Sequence, residues 1–153
     1  MCTISMMVYG TLQSGRQNAH YCSNGTSIEP ATVCGRIYQL SPGYPALLVP
    51  VEHIIAKGTN SPTQDARTQY DRNLNPVEFH TPAGWYEVRG ELVTFENPET
   101  IIPIDRLEGH PAYYERVLLP VRKANNEVTT AWVYIMYRVT SGSILLKSGH
   151  WPE

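Results

Sequence analysis

Glu108 sits in the run Asp-Arg-Leu-Glu-Gly-His-Pro-Ala-Tyr-Tyr-Glu-Arg, residues 105–116, where a helix-like segment meets Gly109 and Pro111. That pair reverses the chain, and a carboxylate at such a break can point into a cavity instead of along a regular surface. There it could take up and return a proton. The alternative is a solvated residue in the last turn of a helix. Earlier in the chain, Tyr9-Gly10-Thr11-Leu12 runs into Gln13-Ser14-Gly15. Gly10 and Gly15 permit positive φ and close backbone approach, so the amides between them could converge on an anion or a carbonyl oxygen. The same residues also suit an ordinary strand-to-helix turn capped by Thr11 or Ser14. No Ser-His-Asp set, paired metal ligands or phosphate-cradling glycine loop stands out.

The chain that must position these residues has 153 of them, enough for one domain that buries about two thirds of its unfolded surface. It is 42% hydrophobic and 17% charged, with a formal net charge of -2, and its 12 Lys and Arg are scattered. That balance carries no electrostatic footprint for nucleic acid. Ten Tyr and 12 Pro against two Phe suggest a β-rich domain with many turns and amphipathic aromatic walls. Cys2, Cys22 and Cys34 are odd in number and match no metal spacing, so free or buried thiols in a reducing compartment are expected. His20 and Cys22 could share one face of a strand, but two ligands do not make a zinc site. The apolar run Ile4 to Val8 is too short for a signal-peptide core, and no run approaches a membrane span. A soluble, cytoplasmic protein is the expectation.

Ile4 to Tyr9 reads as a short buried strand, Thr32 to Leu40 as an alternating one, and Tyr44 to Pro50 as a third bounded by prolines. Between 57 and 82 the chain turns polar. Ser61, Pro62 and Gln64 have the form of a capping box opening a short helix over Thr63 to Arg72. With so few apolar residues, that segment is either a solvated excursion or a flap beside a site. Trp85 to Phe95 is the clearest strand, and Gly90 within it marks a bulge or a close backbone approach. Asn97-Pro98 starts a helical turn, Pro103 a second, and Gly109 ends it. Ile101, Ile104 and Leu107 are spaced for one buried face, which leaves Glu108 at its margin. Tyr113 to Arg122 and Thr129 to Val139 pair as a hairpin, with 131–137 buried on both faces. The expected class is α+β, with a small barrel or strongly curled sheet.

Taken in order, the segments resemble a known family. Tyr9-Gly10-Thr11-Leu12, Gly35-Arg36-Ile37-Tyr38 with Tyr44-Pro45-Ala46-Leu47, and Val88-Arg89-Gly90-Glu91-Leu92 form the first half of the pattern. Asp105-Arg106-Leu107-Glu108-Gly109, Pro111, Tyr114 with Arg116, Ala131-Trp132-Val133-Tyr134 and Ser148-Gly149-His150-Trp151 form the second. The chain is similar to the γ-glutamylcyclotransferase-like family, in particular its small bacterial and γ-glutamylamine-type branch. The likeness spans nearly all of 1–153 as a single domain, with 57–82 as a polar insertion outside it. It implies a small mixed β-barrel in which the Tyr-Gly-Thr-Leu loop and the helix-end Glu face one cavity. It also implies substrate binding at Tyr9, Gly10, Thr11 and Leu12, and Glu108 as general acid/base. Tyr114, like Tyr9, serves either as a cavity wall or as core. His110 and His150 depart from the family pattern, and His110 adjoins the proposed base.

The reaction this likeness implies turns a γ-glutamyl amide into 5-oxoproline and a free amine. The substrate's own α-amine attacks its side-chain carbonyl, so no enzyme nucleophile, metal or cofactor is needed. The implied partner is a small γ-glutamyl compound. The alternative is a non-catalytic small-ligand-binding protein of the same fold.

Overall fold

The computed structural model describes residues 2–152. Five strands close a mixed β-barrel: β1 (Ile4–Val8), β2 (Ser27–Gln39), β5 (Tyr86–Phe95), β6 (Glu115–Lys123) and β7 (Val128–Ile135). Around it the order is β2-β5-β1-β7-β6, and pairing of β6 back onto β2 at Ala31–Val33 closes the ring. Every pairing is antiparallel except β1 with β7, which is parallel. β2 is longer than its alternating stretch suggests, because Ser27 to Glu29 continue the ladder with β5 ahead of Pro30. Its far end leaves the barrel and pairs with β3 (Pro45–Leu48) and β8 (Ile144–Leu145). A two-residue strand, β4 (Ala56–Lys57), lies on the outer edge of β6.

Side-chain alternation sorts the core into two layers. Met7 on β1, Val33 on β2, Val88 and Leu92 on β5, Val117 and Leu119 on β6, and Ala131 and Val133 on β7 fill the barrel. Their neighbours Ile4, Met6, Val8, Trp132 and Tyr134 face outward and are buried again beneath the helices. The expected double burial of 131–137 therefore holds through Ile135, beyond which the chain emerges and Tyr137 is exposed. At Gly90 the close approach obtains: a Cβ there would collide with the Val8 carbonyl group.

Two helices cover the outer layer. α1 (Pro62–Arg72) starts at the Ser61 cap and Pro62 that the sequence predicts, Ser61 Oγ accepting from the Gln64 amide at 3.3 Å, but the box is not closed, because the Ser61 amide donates to Thr59 Oγ1 at 3.0 Å and not to Gln64. It is not a solvated excursion. Asp65, Ala66 and Gln69 are buried, and the Gln69 carboxamide accepts from the Ser5 amide at 2.9 Å and donates to the Thr130 carbonyl at 2.8 Å. One side chain thus bridges β1 and β7, whose parallel pairing is registered only at Met6 and Trp132. α2 (Ile102–Glu108) follows a 3-10 turn, Pro98–Ile101, that Asn97 caps.

The three cysteines are free, and burial pushes the thiols of Cys22 and Cys34 up to about 11. His20 and Cys22 lie in a 3-10 turn, Ala19–Cys22, so they do not share a strand face. No helix among the described residues is long and apolar enough to cross a membrane.

Candidate active site

α2 is seated by Ile101 and Ile104, both fully buried. Leu107, expected as the third member of that face, is 41% exposed instead. The last turn overruns the barrel wall, and Gly109 in the left-handed conformation (φ 67°, ψ 35°) folds the chain back toward β6. Leu107 and Glu108 consequently line the mouth of a cavity of about 280 Å³.

The opposite wall is the loop leaving β1. Tyr9, Gly10, Thr11 and Leu12 all line the same cavity as Glu108 and Tyr114, so the early loop and the late helix end do meet. Gly10 packs on Pro45, where a Cβ would come within 2.7 Å of the proline ring. The left-handed residue of the loop is Gly15 (φ 78°), not Gly10. Neither Thr11 nor Ser14 caps a helix. Thr11 instead accepts from Asn18 Nδ2 at 2.9 Å, and its carbonyl accepts the Asn18 amide at 2.9 Å. Buried Gln13 donates its carboxamide to the carbonyls of Tyr9 (2.8 Å), Gly10 (3.2 Å) and Trp151 (3.1 Å). Among the described residues the amides of Gly10, Thr11 and Leu12 donate to no protein acceptor.

The Glu108 carboxyl likewise has no hydrogen-bonding or ion-pair partner among the described residues, and burial pushes its pKa up to about 7. A carboxyl so placed can hold or release a proton near neutrality. Tyr9 and Tyr114 are both walls and core: each is 6% exposed. Their hydroxyls are engaged, Tyr9 donating to the Tyr134 carbonyl and Tyr114 to the Pro45 carbonyl, each at 2.7 Å. Burial holds the phenols of Tyr9, Tyr114 and Tyr134 well above the ordinary tyrosine range, reinforced chiefly by Tyr114 at Tyr9, by Glu108 at Tyr114 and by Asp105 at Tyr134.

Behind the cavity lies a buried polar lock that the sequence reading did not assign. Arg116, with no exposed surface, donates from Nε and Nη2 to the two Asp105 oxygens at 2.9 and 3.0 Å. Its Nη1 reaches Asp65 at 2.8 Å and Nη2 the Thr59 carbonyl at 3.0 Å. Burial would lower the guanidinium's pKa, but the two carboxylates more than offset it, and Arg116 stays charged. Tyr134 adds a bond to Asp105 at 2.6 Å, linking the lock to the cavity wall. His110 belongs here as well. Nδ1 accepts the Arg116 amide at 3.0 Å, which puts the ring proton on Nε2 facing the Thr59 carbonyl at 3.1 Å. It therefore does not reach the Glu108 carboxyl. His150 lies in the tail loop, outside the cavity. One signal was readable: alternation along 113–122 puts Arg116 on the same strand face as Leu118, a charge that needs buried partners.

This closed mixed barrel with its two short helices is a γ-glutamylcyclotransferase-like fold. The sequence pattern of the γ-glutamyl cyclotransferase, AIG2-like family matches residues 6–60 and 53–153, and the chain belongs to that family. Among solved structures it is similar to an AIG2-like protein from Mus musculus, at 18% identity and a TM-score of 0.56, covering 92% of this chain and 82% of that one. An uncharacterised protein from Pyrococcus horikoshii aligns at 15% identity and a TM-score of 0.57, covering 96% and 88%. An Arabidopsis thaliana protein aligns at 17% identity and a TM-score of 0.58, covering 93% and 74%. These likenesses show the fold. No curated protein sequence matches the chain.

Proposed function

We propose that this protein converts a γ-glutamyl amide into 5-oxoproline and a free amine, with Glu108 moving the proton. The observation that carries the reading is that carboxyl: without a partner among the described residues, pushed up by burial to about 7, and lining one small cavity with Gly10, Thr11 and Leu12, whose amides have no protein acceptor among those residues. The substrate's α-amine attacks its own side-chain carbonyl carbon, forming the ring N–C bond and moving the carbonyl pair onto oxygen. The amides of Gly10, Thr11 and Leu12 are the natural donors to that oxyanion, each worth on the order of 3 kcal/mol. Glu108 accepts the proton from the attacking nitrogen and delivers it to the departing one as the old amide bond breaks. A group titrating near 7 suits both transfers. The rings of Tyr9 and Tyr114 confine the chain to a ring-closing conformer, which supplies proximity.

Membership of the family supports this chemistry, and the pushed-up carboxyl favours it over ligand binding alone, because a passive binding site has no need of a proton carrier. Incubating the protein with a panel of γ-glutamyl amides and measuring 5-oxoproline is the test. Glu108→Gln keeps the side chain's shape and is expected to slow release about 10²–10⁴-fold. A Gln variant as fast as the parent would remove Glu108 from the mechanism. A parent that binds these compounds and releases nothing is a binding protein.

A further inference from the structure

We infer that Gln13 is a positioning residue: braced by the C-terminal tail, it fixes the direction of the Gly10 and Thr11 amides beside the Glu108 cavity. The inference rests on the cyclotransferase reading, in which those amides meet the oxyanion. A trans peptide unit is planar, and the carbonyl of one residue points opposite to the N–H of the next. Holding a carbonyl therefore sets the direction of the amide that follows it. Gln13 Nε2 donates to the Tyr9 carbonyl at 2.8 Å and to the Gly10 carbonyl at 3.2 Å, across peptide bonds that are both trans. The Gly10 and Thr11 N–H groups consequently face away from that nitrogen. The Thr11 carbonyl is held separately by the Asn18 amide at 2.9 Å, which sets the Leu12 amide in the same manner. All three residues line the cavity.

A carboxamide can direct a loop only if something holds the carboxamide. Gln13 is buried, and its third acceptor is the Trp151 carbonyl at 3.1 Å, 138 residues further along the chain. The tail that carries this carbonyl is pinned to the barrel. The Leu146 amide donates to the Ile37 carbonyl of β2, and the Arg89 amide of β5 to the Gly149 carbonyl, each at 2.8 Å. Gly149 lies so close to β5 that a Cβ would collide with the Glu87 carbonyl. The buried Trp151 indole donates to Gln39 Oε1 at 2.5 Å. The run Ser148-Gly149-His150-Trp151 contributes no residue to the cavity lining, yet through Gln13 it reaches the loop that does. Donors fixed in direction before the reaction stabilise a developing oxyanion without having to reorganise.

The test is Gln13→Met, which keeps the side chain's length and removes its donors. On the best γ-glutamyl amide of the panel, kcat for 5-oxoproline release is expected to fall about 10–100-fold with KM within about twofold, because the oxyanion exists only on the way to product. The Glu108 carboxyl, followed by NMR in the same variant, is expected to titrate as in the parent, which a general loosening of the cavity would not allow. A Met variant as fast as the parent, or one in which the Glu108 inflection moves as well, overturns the inference while the cyclotransferase reading stands. Backbone ¹⁵N relaxation of the parent gives a second measurement that holds even if the variant does not fold. Amides 10–12 are expected to be as rigid as the strands, with order parameters of about 0.85, and values below about 0.6 would overturn the brace. A parent that releases no 5-oxoproline from any compound overturns the cyclotransferase reading, and the inference falls with it.

Discussion

Asp105 and Glu108 leave the same short helix three residues apart, yet their surroundings differ completely. Asp105 receives two bonds from Arg116 and one from Tyr134. Glu108 receives none among the described residues, and burial alone governs its charge. The lock side of α2 fixes position; the cavity side keeps a carboxyl available. Tyr134 joins the two, its hydroxyl on Asp105 and its carbonyl holding Tyr9. The lesson is that burial of an acid tells little about its role until its donors are counted. A buried carboxylate with donors is structural, and one without them is unstable in its charged form and therefore reactive.

The comparison can be broken first on the lock side. Arg116→Met removes the cation and leaves Asp65 and Asp105 facing each other without compensation, so unfolding stability should drop by about 3–5 kcal/mol in urea denaturation. A smaller loss would mean that the lock is more hydrated than its burial implies. The cavity side should respond in the opposite direction. Folding raises the Glu108 pKa from the ordinary carboxyl range to about 7, so the native state binds the extra proton between those values. Its contribution to stability is full below the unfolded pKa and is lost as pH rises through 7. Glu108→Gln should therefore be more stable than the parent by up to about 3 kcal/mol at pH 8, with the excess vanishing near pH 4. Equal stability at both pH values would show that Glu108 is well solvated.

What was legible in the sequence follows local rules. The Ser61 cap, the Gly109 stop, the 115–135 hairpin and the doubly buried β7 each have a short-range signature, and the structure carries all four. The meeting of the Tyr9 loop with Glu108 was readable only through the order of motifs along the chain. Leu107 was misplaced because helical spacing predicts a face but not where the barrel beneath it ends. α1 misled for a related reason. It docks through Gln69 and Asp65 instead of an apolar stripe, and partners more than fifty residues distant leave no trace in its own segment. The role of Arg116 was hidden in the same way, since its partners come from two separate elements.

Titration of the Glu108 side-chain carboxyl by carbon-detected NMR, in the intact protein without substrate, tests the central claim most directly. The account predicts an inflection near pH 7, in step with the burial that surrounds an unpaired acid. An inflection in the range of a solvent-exposed glutamate would contradict it, and would leave the cavity without its proton carrier.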